Sequence, residues 1–181
     1  MEATGEPLVK PVTTDEKALP APRLYPDIPS ALIPLYDDLT EQIHVLNMVR
    51  YLFGEPKVVS SRFSKGILNS VLDAGYNISL EFGSVNLGTW TESYTACYKD
   101  SLVKIKAPPP LYRNTTASVC INQEGVYTSY PRVGFKWAFE AEVDAFLAAI
   151  LQSSSYTSGA EDSAKDLRLA EDLVRAISTP S

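Results

Sequence analysis

Residues 39–84 read LTEQIHVLNMVRYLFGEPKVVSSRFSKGILNSVLDAGYNISLEFGS, and this stretch decides the fold. Its first part carries apolar residues at helical spacing. These residues are Leu39, Ile43, Leu46, Val49, Leu52 and Phe53. Gly54 and Pro56 then end the pattern, because glycine favours a helix C-terminus and proline cannot continue a helix. The sequence predicts one helix with a single buried face.

The second part of this stretch changes to strand-like runs at 57–63, 67–72 and 76–84. Asp73-Ala74-Gly75 joins the last two runs and has the length of a hairpin loop. Further strand-like runs follow at 91–98, 102–106 and 117–122, the first two joined by Lys99-Asp100-Ser101. Strands linked by such short loops must pair in antiparallel fashion.

Two helices are predicted at the C-terminal end, each with an apolar stripe. The first stripe is Phe135, Phe139, Val143, Phe146 and Ile150, and the second is Ala164, Leu167, Ala170, Leu173, Val174 and Ile177. Asp162 and Asp166 suit the positive N-terminal end of the second helix. We therefore predict an α+β fold, an open and mostly antiparallel sheet with helices packed on one face.

The first 35 residues contain seven of the 13 prolines. Each proline removes a backbone donor and restricts the residue before it, so neither a long helix nor a central strand is expected. The sequence predicts a proline-rich extended arm over residues 1–35 and one folded domain over residues 36–181.

Composition excludes several classes of protein. The 181 residues carry a net charge of −6 with scattered basic residues, which argues against a nucleic-acid surface. No apolar run is long enough to cross a bilayer, and Met1–Lys10 lacks the apolar core of a signal peptide. We expect a cytoplasmic protein in which Cys97 and Cys120 are buried thiols.

The motifs of familiar cofactor chemistry are missing from this sequence. Its nine glycines never form G-x-G-x-x-G, the pattern that brings a dinucleotide pyrophosphate close to a helix N-terminus. It has one histidine and no C-x-x-C pair, so a zinc site is not expected. The sequence predicts neither a bound cofactor nor a metal.

Several motifs in a shared order resemble those of the Gfo/Idh/MocA family, the glucose–fructose oxidoreductase and inositol dehydrogenase type. Residues 39–56 are similar to the family's L-x-D-x-G-x-H-x-x-D segment followed by a helix ending in L-x-G-x-P. Residues 72–84 resemble its strand, glycine turn and strand. The segments 110–114, 139–146 and 158–166 resemble its P-Y-L-R-N, F-x-x-E-x-x-x-F and E-D-A-x-x-D patterns. The resemblance implies a C-terminal α/β domain without the Rossmann domain that binds NAD(P).

The resemblance also implies a site. In that family a lysine of an E-K-P motif and the histidine act as general acid/base while hydride moves to or from NAD(P). Lys10 and His44 occupy the matching positions, and Thr40 stands where the family has an aspartate four residues before the histidine. Val9 likewise replaces the glutamate of E-K-P. His44, Lys10 and Thr40 are therefore the candidate catalytic residues.

Three functions stay open at this point. The chain could be a substrate-binding and dimerisation domain that needs a Rossmann-domain partner, or is degenerate. It could be a cofactor-independent isomerase, cyclase or lyase that uses His44, or a non-catalytic interaction module. The first function implies a small-molecule ligand and a homodimer through the open sheet face, where alternate strand residues are mostly Thr, Ser and Tyr.

Overall fold

The structure is a computed structural model that describes residues 28–83, 90–109, 111–113, 115–131, 136–152, 156 and 158–177. After a short 3₁₀ turn at Ser30–Leu32, two helices come first, α1 (Ile33–Glu41) and α2 (Ile43–Phe53). Seven strands follow: β1 (Lys57–Ser64), β2 (Ile67–Asp73), β3 (Asn77–Gly83), β4 (Glu92–Cys97), β5 (Ser101–Ala107), β6 (Ser118–Gln123) and β7 (Val126–Pro131). Two helices end the described chain, α3 (Ala138–Leu151) and α4 (Ala160–Arg175).

The strands form two antiparallel sheets, ordered β1-β2-β3 and β4-β5-β6-β7. The α+β class and the antiparallel pairing are therefore confirmed, although the sequence predicted a single sheet. Short loops specify which consecutive strands pair, but they do not specify whether β3 also pairs with β4. Strand β7 was missed by the sequence analysis. Its hairpin turns at Glu124 and Gly125, both with positive φ, a conformation that the glycine adopts without steric cost.

The core lies between one face of the first sheet and three of the helices. Helix α4 packs across α1, α2 and β1, and the side chains of Leu39, Leu68, Leu72 and Leu173 are fully buried. Along β3, Ile78, Leu80 and Phe82 are buried whereas the alternate residues are exposed, as the two-residue period requires. The opposite face of this sheet stays open.

The single helix predicted over residues 39–53 is two helices in the structure. Gln42 leaves the helical conformation with φ −106° and ψ 35°, and α2 begins at the next residue. Leu39 and Leu46 are both buried on either side of this break. The apolar spacing continues across one non-helical residue, so periodicity alone does not reveal the break.

Helix α3 differs most from the expected packing. None of its described side chains is buried, and Phe146 and Leu151 are 52% and 84% exposed. Its stripe was identified from periodicity, which shows that a helix is amphipathic but not which surface covers it. Phe135, the first residue of that stripe, lies outside the described residues.

Both cysteines are free thiols in the structure. Cys120 is half-buried, but Cys97 is exposed, so the expected burial of Cys97 is wrong. Cys97 shares the outward row of β4 with Ser93 and Thr95, and an alternating strand buries only the other row. Among the described helices, none has the length and apolar character needed to cross a bilayer.

Candidate functional site

His44 lies in the first turn of α2, beside the start of β4. Its Nε2 atom is 3.5 Å from Oε2 of Glu92, the first residue of that strand. The imidazole is 42% exposed whereas the Glu92 side chain is only 9% exposed. The break at Gln42 starts α2 at Ile43, so His44 stands at the helix end that faces the strand. The fold thus pairs the single histidine of the chain with a largely buried carboxylate.

Glu92 is held by two more side chains, one from β4 and one from the segment just before it. The Tyr94 hydroxyl donates a hydrogen bond to Glu92 Oε1, and Trp90 Nε1 donates to Oε2 at 3.3 Å. Glu92 and Tyr94 share one face of β4 because successive strand side chains alternate, whereas Trp90 lies two residues before the strand begins. Tyr94 is buried at the edge of the core. The carboxylate therefore receives hydrogen bonds at both of its oxygens.

The electrostatics of these groups favour an ionised Glu92 and a neutral Tyr94. Burial by itself raises the pKa of Glu92, but the hydrogen bonds from His44 and Tyr94 outweigh burial and leave that pKa below its usual value. Burial raises the pKa of Tyr94 well above its ordinary range, and its hydrogen bond to Glu92 raises it further. Tyr94 thus stays a hydrogen-bond donor to a charged partner across the neutral pH range.

Trp90 also contacts His44 through its ring. The two ring centroids are 5.5 Å apart with an interplanar angle of 20°, a stacked arrangement. The imidazole is therefore held at one edge by Glu92 and on one face by the indole, while nearly half of its side chain remains open. A neutral imidazole with a carboxylate on one nitrogen is suited to exchange protons at the other nitrogen.

A second polar cluster joins α2 to α4 around Arg50, whose side chain is only 5% exposed. The guanidinium binds Glu55 through two hydrogen bonds of 2.9 Å, Asp162 at 2.7 Å, and Asp166. Asn47 donates to both aspartates at 3.1 Å. Since Asn47 is one turn after His44, this cluster fixes the rotation of the helix that carries the candidate base.

The hydrogen bonds from Arg50 determine the ionisation of this cluster. They lower the pKa of the Glu55 carboxyl from its ordinary 4.5 to about 2 and also lower that of Asp162. The carboxylates of Glu55 and Asp162 therefore bind the Arg50 guanidinium in their ionised form. Among the described residues, no group of His, Cys, Asp and Glu side chains could hold a metal ion.

Two hollows on the described surface lie away from His44. One of about 380 Å³ is lined by Tyr156, Asp162 and Lys165 at the start of α4, and one of about 430 Å³ by Lys57 and Arg175. Both are shallow and open to solvent, and neither includes His44. The histidine lies on an open surface, so another surface would have to cover it to exclude water during a reaction.

Of three comparisons with known proteins, the one with solved structures finds similar folds. No protein-family model matches the sequence, and no curated protein matches it either. Among solved structures, an aldose-aldose oxidoreductase from Caulobacter crescentus, complexed with glycerol, superimposes with a TM-score of 0.59 at 23% identity. The match covers 74% of this chain and 43% of that one. A 3-ketoreductase from Actinomadura kijaniata, in complex with NADP and TDP-benzene, gives 0.60 at 17% identity, covering 76% and 46%.

The chain has the fold of a Gfo/Idh/MocA-type oxidoreductase domain. It spans less than half the length of these structures, an extent that fits a C-terminal domain. The resemblance seen in the sequence is therefore confirmed at the level of the fold.

Within this Gfo/Idh/MocA-type fold, the structure describes two of the three predicted site residues, Thr40 and His44. Lys10 lies outside the described residues. The Thr40 hydroxyl donates a hydrogen bond to the Asp37 carbonyl at 2.9 Å within α1, and Gln42 separates it from α2. His44 contacts Glu92 and Trp90, both of which sequence reasoning missed. The available signal was Glu92 itself, an acidic residue of the predicted strand 91–98 that stands two positions from an aromatic residue on either side.

Proposed function

We propose that this chain supplies the substrate-binding and dimerisation half of a Gfo/Idh/MocA-type oxidoreductase, with His44 as its acid/base. The observation that carries this proposal is the pairing of a half-exposed imidazole with the ionised carboxylate of Glu92. Oxidising an alcohol needs a proton acceptor at the hydroxyl, and an imidazole held by a carboxylate is suited to that role near neutral pH.

The described residues do not fit a nicotinamide dinucleotide. All strand pairs are antiparallel, and the described sheets contain no parallel strand–helix–strand unit to present a helix N-terminus to a pyrophosphate. We therefore assign to this chain the substrate hydroxyl and its proton, and to a separate Rossmann domain the cofactor. The open surface around His44 is consistent with a site that such a partner completes.

The substrate that this surface suits is a small molecule with several hydroxyl groups. Trp90 is 37% exposed beside His44, and an indole packs against the C–H face of a cyclic polyol. The chain's structural neighbours include an aldose-aldose oxidoreductase bound to glycerol, so aldoses are the class that we propose to test first.

Nuclear magnetic resonance (NMR) tests this proposal at a single site. Because the chain has one histidine, its ring signals report on His44 alone. We expect millimolar D-glucose to shift these signals and to change the fluorescence of Trp90, and we expect Trp90→Phe to weaken the shift. Unchanged ring signals in D-glucose, D-xylose and glycerol would reject the proposed substrate class.

The change His44→Asn is expected to abolish any turnover but to alter the free energy of unfolding by less than about 1 kcal/mol. The side chain is 42% exposed, and Glu92 keeps its hydrogen bonds from Tyr94 and Trp90. Urea midpoints of the wild type and the variant measure the difference. A large destabilisation would show that the imidazole is structural and would contradict the catalytic role.

The isolated chain is expected to bind neither NADH nor NADPH at micromolar concentration. This follows from the missing glycine fingerprint and from the antiparallel sheets. Calorimetry and quenching of the two tryptophans measure binding directly. A saturable, micromolar dissociation constant found by both methods would disprove this expectation.

A second candidate function uses the same pair of residues. His44 and Glu92 could move protons in a redox-neutral reaction, such as an isomerisation, without a cofactor domain. The two functions differ in one measurement. Exchange of substrate C–H protons with deuterated water in the absence of NAD(P) would favour the redox-neutral enzyme.

We also propose that two copies associate through the open face of the first sheet. That face exposes Val71 and Ser79 beside the charged side chains of Arg62 and Glu81, a mixture of apolar, polar and charged groups that protein–protein interfaces also present. Light scattering is expected to give twice the mass of one chain, and Val71→Arg is expected to give the monomer. Leu151→Arg adds the same charge on α3, away from this sheet face, and serves as the control that should remain a dimer. A wild type that is monomeric at micromolar concentration would contradict the proposal.

A further inference from the structure

We propose that Glu92 is the positioning residue of His44, and that it provides from β4 the carboxylate that is absent at Thr40. This inference rests on the proposed function, in which His44 exchanges a proton with the substrate. The inference adds which ring nitrogen of His44 exchanges the proton. In this chain Nε2 is held by Glu92, and Nδ1 is the nitrogen that accepts the substrate proton.

The position of Glu92 relative to the His44 ring distinguishes the two ring nitrogens. Nε2 is 3.5 Å from Glu92 Oε2, and an ionised carboxylate only accepts hydrogen bonds. The carboxylate therefore favours the neutral tautomer that carries its proton on Nε2, the ring nitrogen beside Glu92. Nδ1 keeps its lone pair on the other side of the ring. The side chain is 42% exposed, so the ring has an open part at which a substrate hydroxyl can approach.

Glu92 can serve as a fixed reference because its own orientation is determined. Tyr94 donates to Oε1 and Trp90 donates to Oε2 at 3.3 Å. Rotation of the carboxylate would break both hydrogen bonds, one of them to a tyrosine that is only 7% exposed. Trp90 restrains the pair a second time, because its ring stacks on the imidazole.

Thr40 does not provide the same restraint. Its hydroxyl donates to the Asp37 carbonyl at 2.9 Å, and the non-helical Gln42 interrupts the helical spacing that would relate residue 40 to residue 44. A hydroxyl also acts as donor or acceptor, so it would not select one tautomer of the imidazole. A carboxylate from another element replaces the local one.

The tautomer of His44 can be measured without a substrate. The full chain is labelled with ¹⁵N-histidine, and two-bond ¹H–¹⁵N spectra above neutral pH report which ring nitrogen carries the proton. We expect a single Nε2–H form in the wild type. In Glu92→Gln we expect the Nδ1–H form to rise from undetectable to a comparable share, because an amide both donates and accepts.

Ser93→Ala is the matched control, since it perturbs the same strand at an exposed position of the opposite face and leaves the carboxylate and its hydrogen bonds in place. It should keep the Nε2–H form, a difference that a merely structural role of Glu92 would not produce. A mixture of tautomers in the wild type, or an unchanged tautomer in Glu92→Gln, would overturn the inference. If Glu92→Gln does not fold, the wild-type spectrum decides by itself.

The two proposals fail independently. A fixed Nε2–H tautomer together with no response to any aldose would reject the proposed function and leave Glu92 as the positioning residue. A response to D-glucose in a protein with mixed tautomers would reject the role of Glu92 and leave the proposed function standing.

Discussion

Replacing Arg50 with methionine is expected to lower the free energy of unfolding by about 3–5 kcal/mol. The guanidinium is the cation that binds Glu55, Asp162 and Asp166, and the Asp166 side chain is only 3% exposed. Methionine keeps an unbranched apolar stem in place of the arginine stem but leaves a buried carboxylate without its positive partner. Urea unfolding followed by circular dichroism measures the loss.

Two further variants separate the charge from the packing. Lys165→Met removes an exposed ion pair to Glu55, with a distance of 3.2 Å, and should change the stability by less than about 1 kcal/mol. Combining Arg50→Met with Asp166→Leu removes both buried charges and should recover part of the loss. If Arg50→Met alone costs no more than Lys165→Met, the cluster does not hold α2 against α4.

The same cluster sets a pH dependence whose sign follows from Glu55. Its pKa falls from 4.5 in the unfolded chain to about 2 in the folded protein, chiefly through the hydrogen bonds from Arg50. Stabilisation from this group is therefore complete above pH 4.5 and is lost as the pH falls towards 2. Glu55 is 60% exposed, so solvent reduces the size of this contribution. Arg50→Met should flatten the acid limb of the stability curve.

The local elements could be predicted from the sequence because each depends on neighbouring residues. The alternation Ile78, Leu80, Phe82 specified both β3 and its buried face, and the structure confirms it. The hairpins β2–β3 and β4–β5 followed from the short loops that join their strands. The break at Gln42 could not be predicted, since one residue outside the helix leaves the apolar spacing on both sides almost unchanged.

The candidate site depends on long-range contacts, which periodicity does not encode. His44 was identified from its motif. Its carboxylate partner, Glu92, is far away in the sequence, on the first strand of the β4-β5-β6-β7 sheet. Asp162 and Asp166 illustrate the same limit. Their placement near a helix start suggested a role towards the helix dipole, whereas the structure directs both to Arg50 of α2.

The two C-terminal helices show why an apolar stripe does not by itself define a core. Both have the 3.6-residue pattern in the sequence, yet Leu173 of α4 is fully buried while Phe146 of α3 is 52% exposed. Helix α4 crosses α1, α2 and β1, which bury the C-terminal part of its stripe at Leu173 and Val174 but leave Leu167 42% exposed. The same substitution should therefore have very different effects in the two helices.

Leu173→Ala is expected to cost about 2–5 kcal/mol, because it leaves a cavity among side chains that are already fully buried. Leu147→Ala is the matched control in the middle of α3, and it should stay within about 0.5 kcal/mol, as for a surface position. The urea midpoints of the two variants compare their losses of stability. Both variants are Leu→Ala, so both lose the same side-chain volume. Equal losses would mean that α3 is packed in solution as tightly as α4, and that the face carrying Leu147 belongs to the core after all.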